Sequence, residues 1–262
     1  MVDFQVLEEN LRATLSVFSR ARQEGEIRHY PGITAICAAV PFSTFNAALL
    51  TAPATTPNEL RQRIELVALY FRHRGFPWSV WLCEAWLEKR VRRQARQVLE
   101  EAGIYVLTEM PGMAAEGLRP PARALPRMEF RQVADEPTRR AFEQVMAVTF
   151  GIPYSIARQV YGQEATWEDG LTGWVGYLHG CAVTTAATRL AGGVIGLYAV
   201  GTLPAFQRQG CAEAIIRHAV THAQASSGLE RSVLQSTASG LRLYERLGYR
   251  ALARYVVYAS RW

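Results

Sequence analysis

Lysine is almost missing from this chain. Of its 29 basic residues only Lys89 is a lysine, so the net charge of +6 is carried by arginine. The planar fork of arginine suits phosphate and carboxylate, and such a balance fits nucleic acid, a phosphate-bearing cofactor or an acidic substrate. Cysteine is scarce as well. Cys37, Cys83, Cys181 and Cys211 are scattered beside apolar stretches, with no Cys-x-x-Cys pair and no histidine at ligand spacing. That pattern argues against a zinc centre or a disulfide framework, and no metal is expected. Apolar runs long enough to span a bilayer are lacking, and the start, Met1-Val-Asp-Phe-Gln, has neither the cationic residues nor the apolar run of a signal peptide. The expectation is a reduced, cytoplasmic protein without a membrane partner.

What is present is a large apolar fraction, 49%, with 20% charged residues over 262 positions. This is the composition of a globular protein, long enough for one large domain or two of roughly 130 residues. A break between them is written at 119–127, Arg-Pro-Pro-Ala-Arg-Ala-Leu-Pro-Arg, where three prolines forbid helix and discourage strand pairing. We expect one domain over 1–125 and a second over 126–262.

Periodicity places helices at about 5–23, 57–73 and 85–102 in the first half, with strands at 33–40, 45–51, 78–83 and 104–109. In the second half it places strands at 129–133, 174–178, 182–189, 194–200, 232–236 and 249–259, and helices at 138–148, 154–161 and 207–225, with a short one ending at Leu247. Both halves contain a helix ending at glycine (Gly75, Gly228), an apolar strand, and a second helix ending at glycine (Gly103, Gly248). Two degenerate copies of one unit is the reading, in a mixed α+β fold.

The copies differ where their long helices begin. Thr56-Pro57-Asn58-Glu59 is a capping box, whose side chains can occupy the free N–H groups of the first helical turn. Gln207-Arg208-Gln209-Gly210-Cys211-Ala212 offers no acidic or hydroxyl cap, and its first carboxylate is Glu213. Uncapped N–H groups at the positive end of a helix form a site for a diphosphate. Gly210 leaves room for close approach of such a ligand.

These residues resemble the GNAT family of acyl-CoA-dependent N-acetyltransferases. The family's pyrophosphate signature, Gln/Arg-x-x-Gly-x-Gly/Ala, is met by Gln207, Gly210 and Ala212, with Pro204 upstream; Leu234 to Tyr249, with Tyr244, Gly248 and Tyr249, is similar to its second motif. The resemblance covers roughly 129–258 and implies a largely antiparallel sheet with flanking helices. It implies acetyl-CoA as co-substrate, held by Val200, Gly201, Thr202, Gln207, Arg208, Gln209, Gly210, Cys211, Ala212 and Thr237, with the pantetheine arm paired to the strand before Pro204. The first half resembles the same fold in outline, which makes the chain a tandem protein with a degenerate N-terminal copy. Thr237 stands where many relatives have asparagine, and the strand before Pro204 lacks the glutamate some use as base.

Transfer of an acetyl group to an amine needs a neutral amine, a place for negative charge on the carbonyl oxygen, and a proton for the thiolate. A tyrosine hydroxyl of pKa about 10 can hold its proton and give it to a thiolate whose acid has pKa about 8.5, which assigns Tyr244 as general acid. Backbone N–H groups near 200–202 are placed for the oxyanion, and Gly196 and Gly201 suggest a bulge or splay there. No carboxylate or histidine is selected as base; His218 and His222 share a helix, on a face read as solvent.

The leading expectation is an N-acetyltransferase acting on a primary amine of a small molecule, by direct attack in a ternary complex. The alternative is a non-catalytic acyl-CoA sensor or partner-binding module. Nucleic acid is not expected, because the run from Lys89 to Arg96 reads as an exposed helix face. Acceptor-wall candidates are Phe150, Tyr154, Tyr161 and Trp167, with Trp78, Trp81 and Trp86 across the cleft or in the core. Oligomeric state is not legible.

Overall fold

A computed structural model describes residues 3–260. Met1 and Val2, the first residues of the stretch inspected for a leader, lie outside them. The first half runs α1 (Asp3–Arg20), β1 (Glu26–Tyr30), β2 (Ile33–Cys37), β3 (Asn46–Leu50), α2 (Pro57–Arg74), β4 (Ser79–Cys83), α3 (Lys89–Glu101) and β5 (Ile104–Ala115). The second runs β6 (Glu129–Gln132), α4 (Glu136–Phe150), α5 (Tyr154–Tyr161), α6 (Ala165–Glu168), β7 (Leu171–Leu178), β8 (Cys181–Ala191), β9 (Val194–Thr202), α7 (Cys211–Ser227), β10 (Ser232–Gln235), α8 (Leu241–Leu247) and β11 (Arg250–Ser260). The architecture is mixed α+β, as expected.

All strands join one sheet in the order β1-β2-β3-β4-β11-β5-β10-β9-β8-β7-β6. Most neighbours are antiparallel, but β3 runs parallel to β4 and β9 parallel to β10. The halves exchange their final strands, so that β11 lies between β4 and β5, and β5 lies between β11 and β10.

Local chemistry fixes the helix ends. The side chain of Thr56 accepts from Glu59 N–H, Pro57 opens α2, and Gly75 closes it in the left-handed region at φ 70°. Asp135 and Thr138 form a reciprocal capping box that starts α4 two residues earlier than periodicity suggested. Residues 84–86 form a 3-10 turn, so α3 begins at Lys89 rather than near 85.

The sheet is covered on both faces around β7, β8 and β9. Val175 and Ala187 pack with α4 and α5, whereas their neighbours Trp174 and Ala186 pack with Ile215, Ile216 and Ala219 of α7. Alternate strand residues point to opposite faces, so α4 and α7 lie on opposite sides. Helix α1 shares the α4 side. There the Asn10 amide donates to the carbonyls of Arg189, Ala191 and Val194 at 3.2, 2.9 and 3.3 Å, and the Tyr198 hydroxyl donates to Asn10 Oδ1 at 2.8 Å. A helix of the first half thus ties down the β8–β9 hairpin of the second.

Candidate active site

Between β9 and β10 the sheet opens. The two strands pair only at Ser232 with Ile195 and Val233 with Gly196, and part beyond those residues. The far edge of β9 carries a bulge: Tyr198 faces Ala187 and Gly201 faces Thr185, leaving Ala199 and Val200 opposite the single residue Ala186. The bulge or splay expected from Gly196 and Gly201 is present, since the strands part after Gly196 and the bulge ends at Gly201; the positive φ within it falls on Ala199, at 50°. Two threonines of β8 hold it. Thr185 Oγ1 donates to the Ala199 carbonyl at 2.9 Å, and Thr184 Oγ1 donates to the Gly201 carbonyl at 2.6 Å while lying 2.8 Å from Thr202 Oγ1. Gly196 has a different use, since a Cβ there would fall 1.8 Å from Asn10 Oδ1.

After β9 the chain makes a 3-10 turn at Pro204–Phe206 and enters α7 at Cys211, four residues later than the sequence suggested. The intervening turn is held by two glutamines. Gln207 Nε2 donates to the Thr202 carbonyl at 3.2 Å and Gln209 Nε2 to the Ala205 carbonyl at 2.9 Å, so both side chains brace the loop. Arg208 and Gly210 both take left-handed backbone, at φ 59° and 93°. Gly210 is the N-cap and no side chain bonds to the helix start. A left-handed residue followed by a right-handed one aims successive N–H groups into a concavity suited to anions. Glu213 does not compete, because its Oε1 accepts from Arg217 Nη2 at 2.7 Å, one turn along.

The Cys211 side chain is buried beneath the helix start, and burial raises its thiol pKa. Ala212 follows at the half-buried second position of the helix. Thr237 is exposed just past β10, and its Oγ1 accepts from Gly240 N–H at 3.3 Å. Tyr244 on α8 is 8% exposed, packs edge-on against Tyr249 at 5.6 Å, and has its hydroxyl pKa pushed up by burial. Burial keeps the proton in place and also makes the hydroxyl a weaker donor, so the acid role rests on motif position more than on acidity.

Several expectations change here. His222 is exposed as expected, but His218 lies stacked on Phe130 at 4.4 Å and edge-on to Trp174 at 4.3 Å, with its pKa lowered chiefly by desolvation. Tyr161 is a core residue touching Phe18, Phe45 and Phe142, and Trp167 donates its indole N–H to the Tyr161 carbonyl at 2.8 Å; neither lines an open wall. Phe150 and Tyr154 are exposed. Trp78 and Trp86 are buried and Trp81 is half-buried. Lys89, Arg90, Arg92, Arg93 and Arg96 are exposed along α3, as read.

Sequence reading missed two residues of interest. Gln235 ends β10 where the strands part, and both its amide atoms are buried without a partner among the described residues. Its signal was a polar side chain closing the apolar strand Val233-Leu234. The other is Arg123 of the linker, whose Nη2 donates to the Arg208 carbonyl at 3.3 Å.

The turn that leads into α2 is closed. β3 and β4 also pair at only two positions, Ala47 with Ser79 and Ala48 with Val80. There Thr56 caps α2, and Glu59 accepts from the N–H and hydroxyl of Thr55 at 2.9 and 3.0 Å and pairs with Arg63. The guanidinium of Arg63 is seated on the carbonyls of Ala52 and Pro53 at 2.7 and 3.0 Å. Among the described residues no group of three or more His, Cys, Asp or Glu side chains could hold a metal ion, and no helix is long and apolar enough to cross a membrane.

Comparison with known proteins places this geometry. Residues 165–251 match the acetyltransferase (GNAT) domain family. No curated protein matches the sequence. Among solved structures, a GCN5-related N-acetyltransferase from Kribbella flavida superposes with a TM-score of 0.71 at 19% identity, covering 97% of this chain and 96% of the other. A functionally unknown conserved protein from Staphylococcus epidermidis gives 0.63 at 14% identity over 93% and 96%. A GCN5-related N-acetyltransferase-like protein from Streptococcus suis gives 0.58 at 14% over 96% and 98%. Residues 165–251 thus match the acetyltransferase (GNAT) domain, and the chain as a whole shares its fold with a solved structure described as a GCN5-related N-acetyltransferase.

Proposed function

We propose that this protein transfers the acetyl group of acetyl-CoA to a primary amine of a small molecule, by direct attack in a ternary complex. The observation that carries the reading is an uncapped α7 N-terminus beside a parted pair of strands. In this reading the diphosphate rests on the N–H groups of residues 209–212, and the pantetheine arm lies in the opening, pairing with the free edge of β9 as an added strand. Val200, Gly201 and Thr202 flank the bulge whose N–H groups would face the thioester oxygen. The amine nitrogen attacks the thioester carbon, the C–S bond breaks, one proton leaves the nitrogen, and the departing sulfur takes one from Tyr244. No carboxylate or histidine is assigned as base, so the amine proton passes to water, and solvent returns one proton to the Tyr244 phenolate.

The first half, with its equivalent turn sealed by Thr56, Glu59 and Arg63, is read as a degenerate second copy that does not bind the co-substrate. CoA release measured with a panel of amines tests the activity. Tyr244→Phe is expected to lower kcat about 10²-fold with acetyl-CoA affinity unchanged, the usual scale of one acid–base group. Full activity in that variant makes Tyr244 structural. The absence of an assigned base favours one second reading, an acyl-CoA sensor. Tight acetyl-CoA binding with no transfer to any amine would establish it.

A further inference from the structure

The segment joining β5 to β6 is not a loose tether. Arg119 N–H donates to the Leu247 carbonyl at 2.9 Å, at the end of α8. The side chain of Arg119 lies against Gly248, where a Cβ would come within 3.1 Å of Arg119 Cγ. Seven residues on, the chain lies against the start of α7. A Cβ on Gly210 would be 3.0 Å from Pro126 Cδ, 3.6 Å from Leu125 Cδ2 and 3.9 Å from Arg123 Nη2. The linker therefore crosses from one helix end to the other, and Arg123 holds its guanidinium on the Arg208 carbonyl at 3.3 Å.

Charge around this crossing is one-sided. Arg119, Arg123 and Arg127 of the linker and Arg208 of the turn are exposed, and none forms an ion pair among the described residues. Of these four uncompensated guanidinium groups, Arg123 and Arg208 meet at the uncapped start of α7. Repulsion among them is relieved when an anion with several oxygens sits between them. Pro120, Pro121 and Pro126 limit the conformations of the linker, so little chain entropy is lost in keeping an arginine there.

We propose that Arg123 is a ligand of the co-substrate diphosphate, and that linker 119–127 is a strap lying over the bound diphosphate. This rests on the reading of the α7 turn as an acyl-CoA site. In the free protein the Arg123 fork is parked on a neutral carbonyl. With co-substrate present it moves to charged oxygens, a stronger contact for the same donors.

Calorimetric titration of the full-length protein and Arg123→Ala with CoA and with dephospho-CoA, which keeps the diphosphate and lacks the 3′-phosphate, tests this. Arg123 is exposed, so the variant should keep the thermal midpoint of the parent. The expected result is a Kd raised about tenfold for both ligands, with a shallower dependence on salt, and a partial loss in Arg123→Lys. Unchanged affinity for both ligands overturns the proposal and leaves the site reading intact. Weakening confined to CoA also overturns it, because Arg123 would then read the 3′-phosphate. A parent protein that binds neither ligand sinks the site reading itself.

Discussion

Arg208 and Gly210 take the same left-handed backbone for different reasons. A residue with a side chain pays about 1–2 kcal/mol to sit there, whereas glycine pays almost nothing. Gly210→Ala should therefore lose about 1–2 kcal/mol in urea denaturation, more where Pro126 cannot yield at 3.0 Å. Arg208→Gly should gain about 0.5 kcal/mol, after the entropy of glycine in the unfolded chain is set against the relieved strain. The need for glycine at 210 was legible in the motif. The positive φ at Ala199 was not, because an alanine in a strand carries no mark of the bulge that bends it. Glu8 was equally silent. It is 1% exposed, accepts from Trp86 Nε1 at 2.9 Å, and burial raises its pKa to about 7. The Tyr255 and Tyr198 hydroxyls, the Cys83 thiol and the Arg12 guanidinium are the other titratable groups acting on it. Unfolded, it ionises near 4.5. The folded state holds the proton that the unfolded state loses, so stability falls as pH rises from about 4.5 to about 7. Glu8→Gln should flatten that slope and raise stability at pH 8 by about 3 kcal/mol, read from urea midpoints across pH.

At the scale of elements, those with a local punctuation mark were placed well. α2, opened by Thr56-Pro57 and closed by Gly75, ends one residue from expectation. Strands suffered where a rule was broken by tertiary context. β5 runs past the expected end at 109 and through Pro111 to Ala115, where the Pro111 carbonyl accepts from Ser236 N–H at 2.9 Å and the missing proline N–H does not end the strand. β1 was missed because it is a half-exposed edge strand with little apolar signal. The face of α7 was half read, since His218 is drawn against Phe130 and Trp174, while His222 is exposed with its ring edge-on to Trp174 at 4.8 Å. Desolvation holds the His218 pKa below 6.5, with His222 adding repulsion. Carboxylates are absent from the packed neighbours Phe130 and Trp174, so nothing there offsets protonation. The unfolded chain takes the proton first, and stability, full above pH 6.5, falls as pH drops below it. His218→Phe should remove that acid-side slope, and urea midpoints at pH 5.5 and 7.5 check it.

At the scale of the molecule, motifs in one half marked the α7 turn, but nothing in the linear order announced that the halves would trade strands. The pairing of β11 with β4 and β5 depends on cross-strand contacts between residues far apart in sequence, such as Tyr255 with Cys83 and Met110. An isolated 126–262 fragment keeps the motifs and loses both neighbours of β11, together with the Asn10 contacts on the β8–β9 hairpin. It is expected to remain unfolded by circular dichroism and not to bind CoA, while the intact chain unfolds in one transition. Asn10→Ala in the intact chain leaves three carbonyls and the Tyr198 hydroxyl without their partner, and should cost about 2–4 kcal/mol. A fragment that folds and binds CoA alone would show that the shared sheet is not needed to build the site.

The exchange of strands also sets an order of manufacture. During synthesis β4 and β5 leave the ribosome long before β11 exists, and between them lies a gap that only β11 fills. Until then the nascent chain presents two raw edges, each able to accept a strand from a neighbouring nascent copy. At high expression such chains should trade β11 between molecules and accumulate as intertwined dimers, which slower translation or dilution would suppress.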